Sequence, residues 1–442
     1  MKRRMFLHGV GTIAGGLAVG QRGVEAGASA VGHAAGHAPG QIPAAAPLPS
    51  PSDPGYWAAV RRQFQLPADF AYLNTAGLGA SPRAVTDTLT AWTDREEANP
   101  APGHNETDWT RIRKACAHLL GPACGEDEVA FVSTATEGIN AILNTMPLTR
   151  GDEIITSTHE HASLAIALLH RMNTLGVVIR TFEPDLARAQ GNADRIAALV
   201  TGRTKLIFIS HVTCTTGQIM PAAEIARLAE ARGITFALDG AQSLAHIPFD
   251  IAATGAHFYT ASCHKWLLGP KRTGFLYVRR DRLATAVPSV VGAYSDAVSS
   301  LADRKLELRP GAQRFEYGTQ NDALIYGVES AIAFLSGVGL PTIWARNQAM
   351  AERAVDGLSR IPNVTLLSPA EPVWRSAIIT FAVPGRDNRQ IAAELVRQRL
   401  RVRSVTEGGL DAVRLSFHLY NDAADVDRLL AALRGIVAAG SA

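Results

Sequence analysis

The sequence has 442 residues, enough for two or three domains and a large buried core. Its 43 Lys and Arg against 40 Asp and Glu leave a formal charge of +3, and no basic run offers the face that nucleic acid would need. The four cysteines, Cys116, Cys124, Cys214 and Cys263, form no CxxC pair and no zinc-type spacing with histidine, while a Cys116–Cys124 disulfide stays open for an oxidising compartment.

The chain opens MKRRMFLHGVGTIAGGLAVG, a basic start followed by a short Gly/Ala-rich apolar run. With Ala28-Ser29-Ala30 as a small-residue cleavage site, residues 1–30 have the three-part form of an export signal. The apolar run is too short to span a membrane as a mature helix, and no later stretch reads as a span. Arg3-Arg4-Met5-Phe6-Leu7 resembles the twin-arginine motif, so the expectation is export to the periplasm by that route. The alternative is an uncleaved tail with a chance arginine pair. Residues 31–55, rich in Ala, Gly, Pro, His and Ser, read as a flexible linker.

Residues 56–85 form an N-terminal segment expected to pack near the C-terminal region. From about Glu128 short apolar runs alternate with amphipathic ones. EVAFVST, EIITST, VVIRTFEP, KLIFISHV, ITFALDG, AHFYTAS and TGFLYVRR read as strands. ATEGINAILNTM, SLAIALLHRMNTLG and PAAEIARLAEARG have the helical period. Strand–helix alternation of this kind predicts a largely parallel, doubly covered α/β sheet over residues 86–325. Beyond residue 326 the pattern changes. A long helix (TIWARNQAMAERAVDGLSRI), strands SAIITFAV and AVRLSFHLY, and a final helix predict a smaller α+β domain over 326–442.

Four short segments of the larger region carry chemistry. STATEGIN joins a strand to a helix, and Ala135 and Thr136 lie at that turn. Backbone N–H groups of a helix start with a Thr hydroxyl make a phosphate cradle, though a plain N-cap would look the same. In GDEIITSTHEHAS, His161 follows a strand and could lie flat on a cofactor ring; a hydrogen-bonded structural histidine is the rival. The His-Glu-His triplet has no metal-ligand spacing, so no metal is expected. In ITFALDGAQ, Asp239 ends an apolar strand, where it could keep a pyridine nitrogen protonated or simply cap the next segment. Gln242 could reach the ring hydroxyl. In TASCHKWLLGP, Lys265 lies just beyond a strand, where partial burial would help it lose its proton and form an imine with pyridoxal 5′-phosphate (PLP). A lysine alone is more often a solvated surface group; together with Asp239 it points to a PLP enzyme.

In chain order these segments resemble the class V aminotransferase family of fold-type I PLP enzymes, over roughly residues 56–440. TATEGIN resembles the family's phosphate loop, GDEIITSTHEH its segment with the ring-stacking histidine (His161), and DGAQ its pyridinium motif (Asp239, Gln242). SCHK resembles its Ser-x-His-Lys, which implies that Ser262 and His264 also bind phosphate. FEYGTQN resembles the loop whose threonine, here Thr319, reaches the phosphate of a neighbouring subunit; this implies a homodimer with shared sites. AVRLSFHLYN resembles the segment with the substrate-carboxylate arginine, Arg414, with Arg403 assisting. YLNTAGLG resembles the segment bordering the substrate, with Asn74. The resemblance implies a large domain with a mostly parallel seven-stranded sheet, a smaller α+β domain, and an amino-acid substrate. Twin-arginine export, which carries folded proteins, would suit an enzyme loaded with PLP in the cytoplasm.

The sequence departs from the cysteine desulfurases of that family. They carry a nucleophilic cysteine shortly after the position of Arg403, where this chain reads SVTEGGLDAV. Persulfide chemistry is therefore not expected. Cys263 reads as a small buried residue, and Cys214 stands where desulfurases place an Asn. The expected activity is chemistry at the Cα of an amino acid, of aminotransferase or epimerase type. A PLP-dependent β/γ-elimination lyase and an exported binding protein without turnover are the alternatives. Neither GxSxG nor a strand-linked GxGxxG is present, against a hydrolase or a nucleotide-linked oxidoreductase.

Overall fold

The computed structural model describes residues 47–100 and 103–439. The twin-arginine-like motif, the Ala28-Ser29-Ala30 site and residues 31–46 of the expected linker lie outside the described residues. In the rest of that linker Leu48 packs against the main core, while residues 50–55 are exposed. The described residues belong to one compact unit.

In chain order the unit begins with α1 (Tyr56–Arg61), β1 (Ala71–Tyr72), α2 (Arg83–Ala98) and α3 (Glu106–Leu120). Next come β2 (Val129–Val132), α4 (Ala135–Thr145), β3 (Glu153–Ser157), α5 (Ala162–Leu175), β4 (Val178–Phe182) and α6 (Gly191–Ala197). Then follow β5 (Thr204–Ser210), α7 (Ala222–Glu230), β6 (Thr235–Asp239), α8 (Ile251–Thr254), β7 (Phe258–Ser262) and β8 (Gly274–Val278). A hairpin of β9 (Asp296–Ser300) and β10 (Lys305–Leu308) leads to α9 (Asp322–Val338) and α10 (Leu340–Leu358). The last elements are β11 (Thr365–Leu366), β12 (Ile378–Ala382), α11 (Asn388–Arg397), β13 (Leu400–Arg401), β14 (Arg403–Val405), β15 (Ala412–Ser416) and α12 (Ala423–Ala439).

The seven strands expected in the larger region build one seven-stranded sheet in the order β2-β8-β7-β6-β5-β3-β4. Only β8 runs against its neighbours. Helices on both faces bury most of the central strands, which is why LIFI in β5 and FAL in β6 are continuous apolar runs with no alternation. In such a sheet ligands gather beyond the carboxyl ends of the strands where the order reverses, here between β3 and β5. Ser210 lies beside Asp239 in the β5–β6 register, and Asp239 beside Thr260 in β6–β7. The segments that follow β2, β3, β6 and β7 therefore open onto one edge.

A second, antiparallel sheet has the order β11-β12-β15-β14 and its own apolar core with α10, α11 and α12. The N-terminal segment is shared: Tyr56, Val60, Phe64 and Val85 pack into the larger core, while residues 71–76 join this side, where β1 pairs in parallel with β13 and Asn74 bridges to Ser416. The boundary expected at residue 326 falls inside α9. That helix is packed into the first core along most of its length, against α2, so the change of core comes at Gly339, where α9 and α10 meet at 76°. An apolar helix cannot reveal from periodicity alone which of two cores receives it.

Helix α4 lies so close to β7 that a Cβ on Gly138 would collide with Thr260 Oγ1 and Cβ. Thr260 cannot swing away freely, because its hydroxyl donates to the Phe275 carbonyl at 2.9 Å. Gly138→Ala is expected to destabilise the fold by about 1–3 kcal/mol through overpacking. An unchanged urea midpoint would contradict this packing.

Candidate active site

A cavity of about 230 Å³ opens at that strand edge, lined by residues of both sheets. Its floor is Lys265 and Asp239, at the ends of adjacent β7 and β6. Both are buried, at 8% and 4% exposure. Burial lowers the Lys265 ammonium, although the Asp239 charge works to raise it. Burial raises the Asp239 carboxyl, while a hydrogen bond from Ala241 N and the charge of Lys265 hold it down. Gly79 of the N-terminal segment donates to the His264 carbonyl at 2.7 Å and lies directly on the Lys265 backbone, where no Cβ would fit. The glycine thus sets the close approach that closes the cavity.

One end of the cavity is the first turn of α4. Thr134 caps it by accepting from Glu137 N, and the Glu137 carboxylate turns back onto Ser133 N at 2.7 Å. Ala135, Thr136, Ser262 and His264 line this end, and Ala135 N donates to Ser262 Oγ at 2.8 Å. His264 Nδ1 is buried with no hydrogen-bond partner among the described residues. His161 also lines the cavity; its Nδ1 caps α5 by accepting from Ser163 N at 3.1 Å. Burial and the nearby Lys265 charge lower both imidazoles to about 4, so both are neutral at physiological pH.

The opposite end carries Arg403 and Arg414 from β14 and β15. Arg414 is 1% exposed. It donates to the Cys214 carbonyl at 2.6 Å and to Asn74 Oδ1 at 3.1 Å, both neutral acceptors, and its Nε has no partner. No carboxylate pairs with it among the described residues. Burial, with Arg403 beside it, lowers the guanidinium to about 10.

Residues 71–429 match the family described as aminotransferase class-V. This chain belongs to that family. A probable cysteine desulfurase of Mycolicibacterium paratuberculosis (strain ATCC BAA-968 / K-10) is 30% identical over 87% of this chain, which spans only 58% of that protein's length. The isopenicillin N epimerase of Streptomyces clavuligerus is 29% identical over 85% of this chain and 97% of its own. The apo cysteine desulfurase of Thermococcus onnurineus NA1 superposes with a TM-score of 0.77 at 25% identity, covering 86% of this chain and 98% of that one. A cystine C–S lyase solved with its product cysteine persulfide shares the fold, with a TM-score of 0.76 at 24% identity over 83% and 98% of the two chains.

The class-V fold is fold type I, and its cofactor is pyridoxal 5′-phosphate. The cavity fits that group on its own terms. It holds a buried amine for the aldehyde, a buried carboxylate for the ring nitrogen, and a helix start beside an unpartnered imidazole nitrogen for the phosphate.

Of the sequence-derived candidates, Ala135, Thr136, His161, Asp239, Ser262, His264, Lys265, Arg403 and Arg414 line this one cavity, and Asn74 touches Arg414 from behind. Gln242 does not line it. Its amide donates to the Ala76 carbonyl at 2.9 Å and accepts from Trp266 Nε1 at 2.8 Å, so it braces the walls. A buried indole N–H needs an acceptor, and Gln242 supplies it. Thr319 is exposed and stands apart from this cavity. Thr134, Ser163, Ala76, Gly77 and Ala241 line the cavity without having been singled out; the cap signal that opens TATEGIN was the available clue to Thr134. Glu160 was also missed. It is fully enclosed, accepts from Ser157 Oγ at 2.5 Å and Ser210 Oγ at 2.6 Å, and burial pushes it up to about 7. All four cysteines are free, so Cys116 and Cys124 form no disulfide. Burial pushes Cys214 up to about 11 and Cys263 to about 12, which leaves neither a thiolate near neutral pH.

Behind Lys265, Trp266 stacks on His246 with ring centroids 3.3 Å apart and on His418 at 5.6 Å. His246 Nε2 accepts from Ala377 N and His418 Nδ1 accepts from Leu419 N, so neither ring carries two protons. Burial lowers His246 to about 3, and His418 and His211 to about 4. The unfolded chain takes up these protons near pH 6.5, the native state only near 3–4. Stability is therefore lost as pH falls below about 6.5. Glu160, between about 4.5 and 7, and Asp322, between about 3.8 and 6, act in the opposite sense, against these three histidines and also His161, His257 and His264, each lowered to about 4. The urea midpoint is expected to be lower at pH 5 than at pH 7; a higher one would contradict neutral buried imidazoles.

Proposed function

We propose that this chain is a PLP-dependent enzyme acting at the Cα of an amino acid, of aminotransferase or epimerase type. The observation that carries the reading is Arg414: a buried guanidinium with only neutral acceptors, aimed into a cavity whose floor is Lys265 and Asp239. A buried charge without a counter-charge is costly, and a substrate carboxylate supplies the missing one. The planar fork of Arg414 can take both carboxylate oxygens.

Bound PLP supplies an aldehyde that captures an amine and a ring that accepts electrons from Cα. Arg414 fixes the carboxylate and with it the bond of Cα that faces the ring. Lys265 Nζ, lowered by burial, takes the Cα proton as general base. Asp239 keeps the proton on the ring nitrogen. His161, neutral, would pack against the bound cofactor without competing for protons. Amino transfer would follow where Lys265 passes that proton to the cofactor in place of Cα; inversion would need a second acid on the opposite face of Cα. No cysteine near the cavity is a ready nucleophile, which supports these branches over sulfur transfer. The reading includes a homodimer in which Thr319 reaches the neighbouring phosphate, and export by the twin-arginine route.

Turnover of L- and D-amino acids in D₂O separates the branches: a 2-oxo acid product marks amino transfer, and an inverted, α-deuterated amino acid marks epimerisation. Arg414→Met is expected to lower kcat/KM by about 100-fold or more while the bound cofactor's absorption persists. Equal kcat/KM in the variant would remove the carboxylate seat, and no product of either kind from any amino acid would sink the reading.

A further inference from the structure

The two arginines of the cavity are not in the same electrostatic state. Arg403 and Arg414 are direct partners across the β14–β15 ladder, so their side chains leave the same face of the sheet. Like charges in that position repel, and Arg403 is one of the groups that lowers Arg414. Arg414 meets only the Cys214 carbonyl and Asn74 Oδ1. Arg403 is closed by an ion pair with Glu407, four residues on.

The loop that carries Glu407 is built to hold it there. Gly408 and Gly409 are both left-handed, at φ 65° and 71°, and turn the chain back immediately after Glu407. Gly408 rests on the His159 ring so closely that a Cβ would collide with it. His159 in turn is held by Thr215 Oγ1 and Glu183 Oε1, each at 2.8 Å. Thr406 N donates to Glu407 Oε2 at 3.2 Å. The Glu407 side chain is 17% exposed; burial raises its carboxyl, but the hydrogen bond and charge of Arg403 together with the backbone N–H groups of Glu407 and Thr406 hold it below the usual range.

Once a carboxylate occupies Arg414, the rest of that end is a neutral Arg403–Glu407 pair. A second carboxylate on the substrate would have to pull Arg403 from Glu407 and leave that carboxylate largely buried and alone. Resting on the reading of Arg414 as the carboxylate seat, we propose that the substrates are amino acids with one carboxylate and a neutral or cationic side chain, and that Glu407 is the residue that rejects dicarboxylic ones.

The test is calorimetric binding of butyrate and glutarate, which differ by one distal carboxylate, to the cofactor-loaded protein. The wild type is expected to bind butyrate and to bind glutarate at least about tenfold more weakly. Glu407→Gln frees Arg403 and is expected to tighten glutarate by about tenfold or more, with butyrate within about threefold. The double variant R403Q/E407Q is expected to lose that gain. If E407Q does not fold, R403Q decides: it leaves Glu407 unpaired, so glutarate binds worse still, and tighter glutarate binding there overturns the proposal. A wild type that binds both equally, or an E407Q that gains nothing, also overturns it. No butyrate binding by the wild type overturns the Arg414 reading and the proposal with it, which distinguishes the two failures.

Discussion

Everything at this site depends on two opposite charges buried side by side at the carboxyl ends of adjacent strands. Asp239 ends β6 and Lys265 follows β7, and the β6–β7 pairing brings the two strand ends together. Each alone would be costly in so enclosed a place, and burial pushes each toward its neutral form. Their mutual field limits that drift. The result is an amine that loses its proton readily next to a carboxylate able to accept a new cationic partner. The aromatic stack of His246, Trp266 and His418 and the contact of Gly79 with the Lys265 backbone pack the segment that carries the lysine.

The second sheet contributes what the first cannot, a cationic anchor for the far end of the substrate. Arg414 is delivered by β15 and steadied by Asn74, whose own segment is stitched to β15 through the Asn74–Ser416 bridge and to β13 through β1. The N-terminal segment thereby touches cavity residues from both sides, Arg414 through Asn74 and the Lys265 backbone through Gly79. It also supplies Ala76 and Gly77 to the wall. The cavity is polarised as a consequence: a helix start and neutral imidazoles at one end, guanidinium at the other, and the Lys–Asp pair between.

The larger sheet was legible because its strands are short apolar runs punctuated by amphipathic helices, a pattern that the doubly covered parallel arrangement imposes. Residues at strand ends, such as Asp239 and Lys265, stood out for the same reason: a charge at the end of a buried strand needs a partner. What escaped was set by tertiary contact. Gln242 carries the same amide whether it faces a cofactor or an indole, and only packing shows that Trp266 claims it. The α9 boundary was blurred because its apolar faces suit either core. Glu160 and Glu407 look like ordinary solvated carboxylates in sequence; their roles come from Ser157 and Ser210 in one case and from a glycine turn over His159 in the other.

The most direct measurement is borohydride reduction of the purified protein, followed by an absorption spectrum and peptide mapping. The account predicts a visible cofactor band that disappears on reduction, with the pyridoxyl label on Lys265. A protein that stays colourless after incubation with PLP, or a label on another lysine, would contradict it.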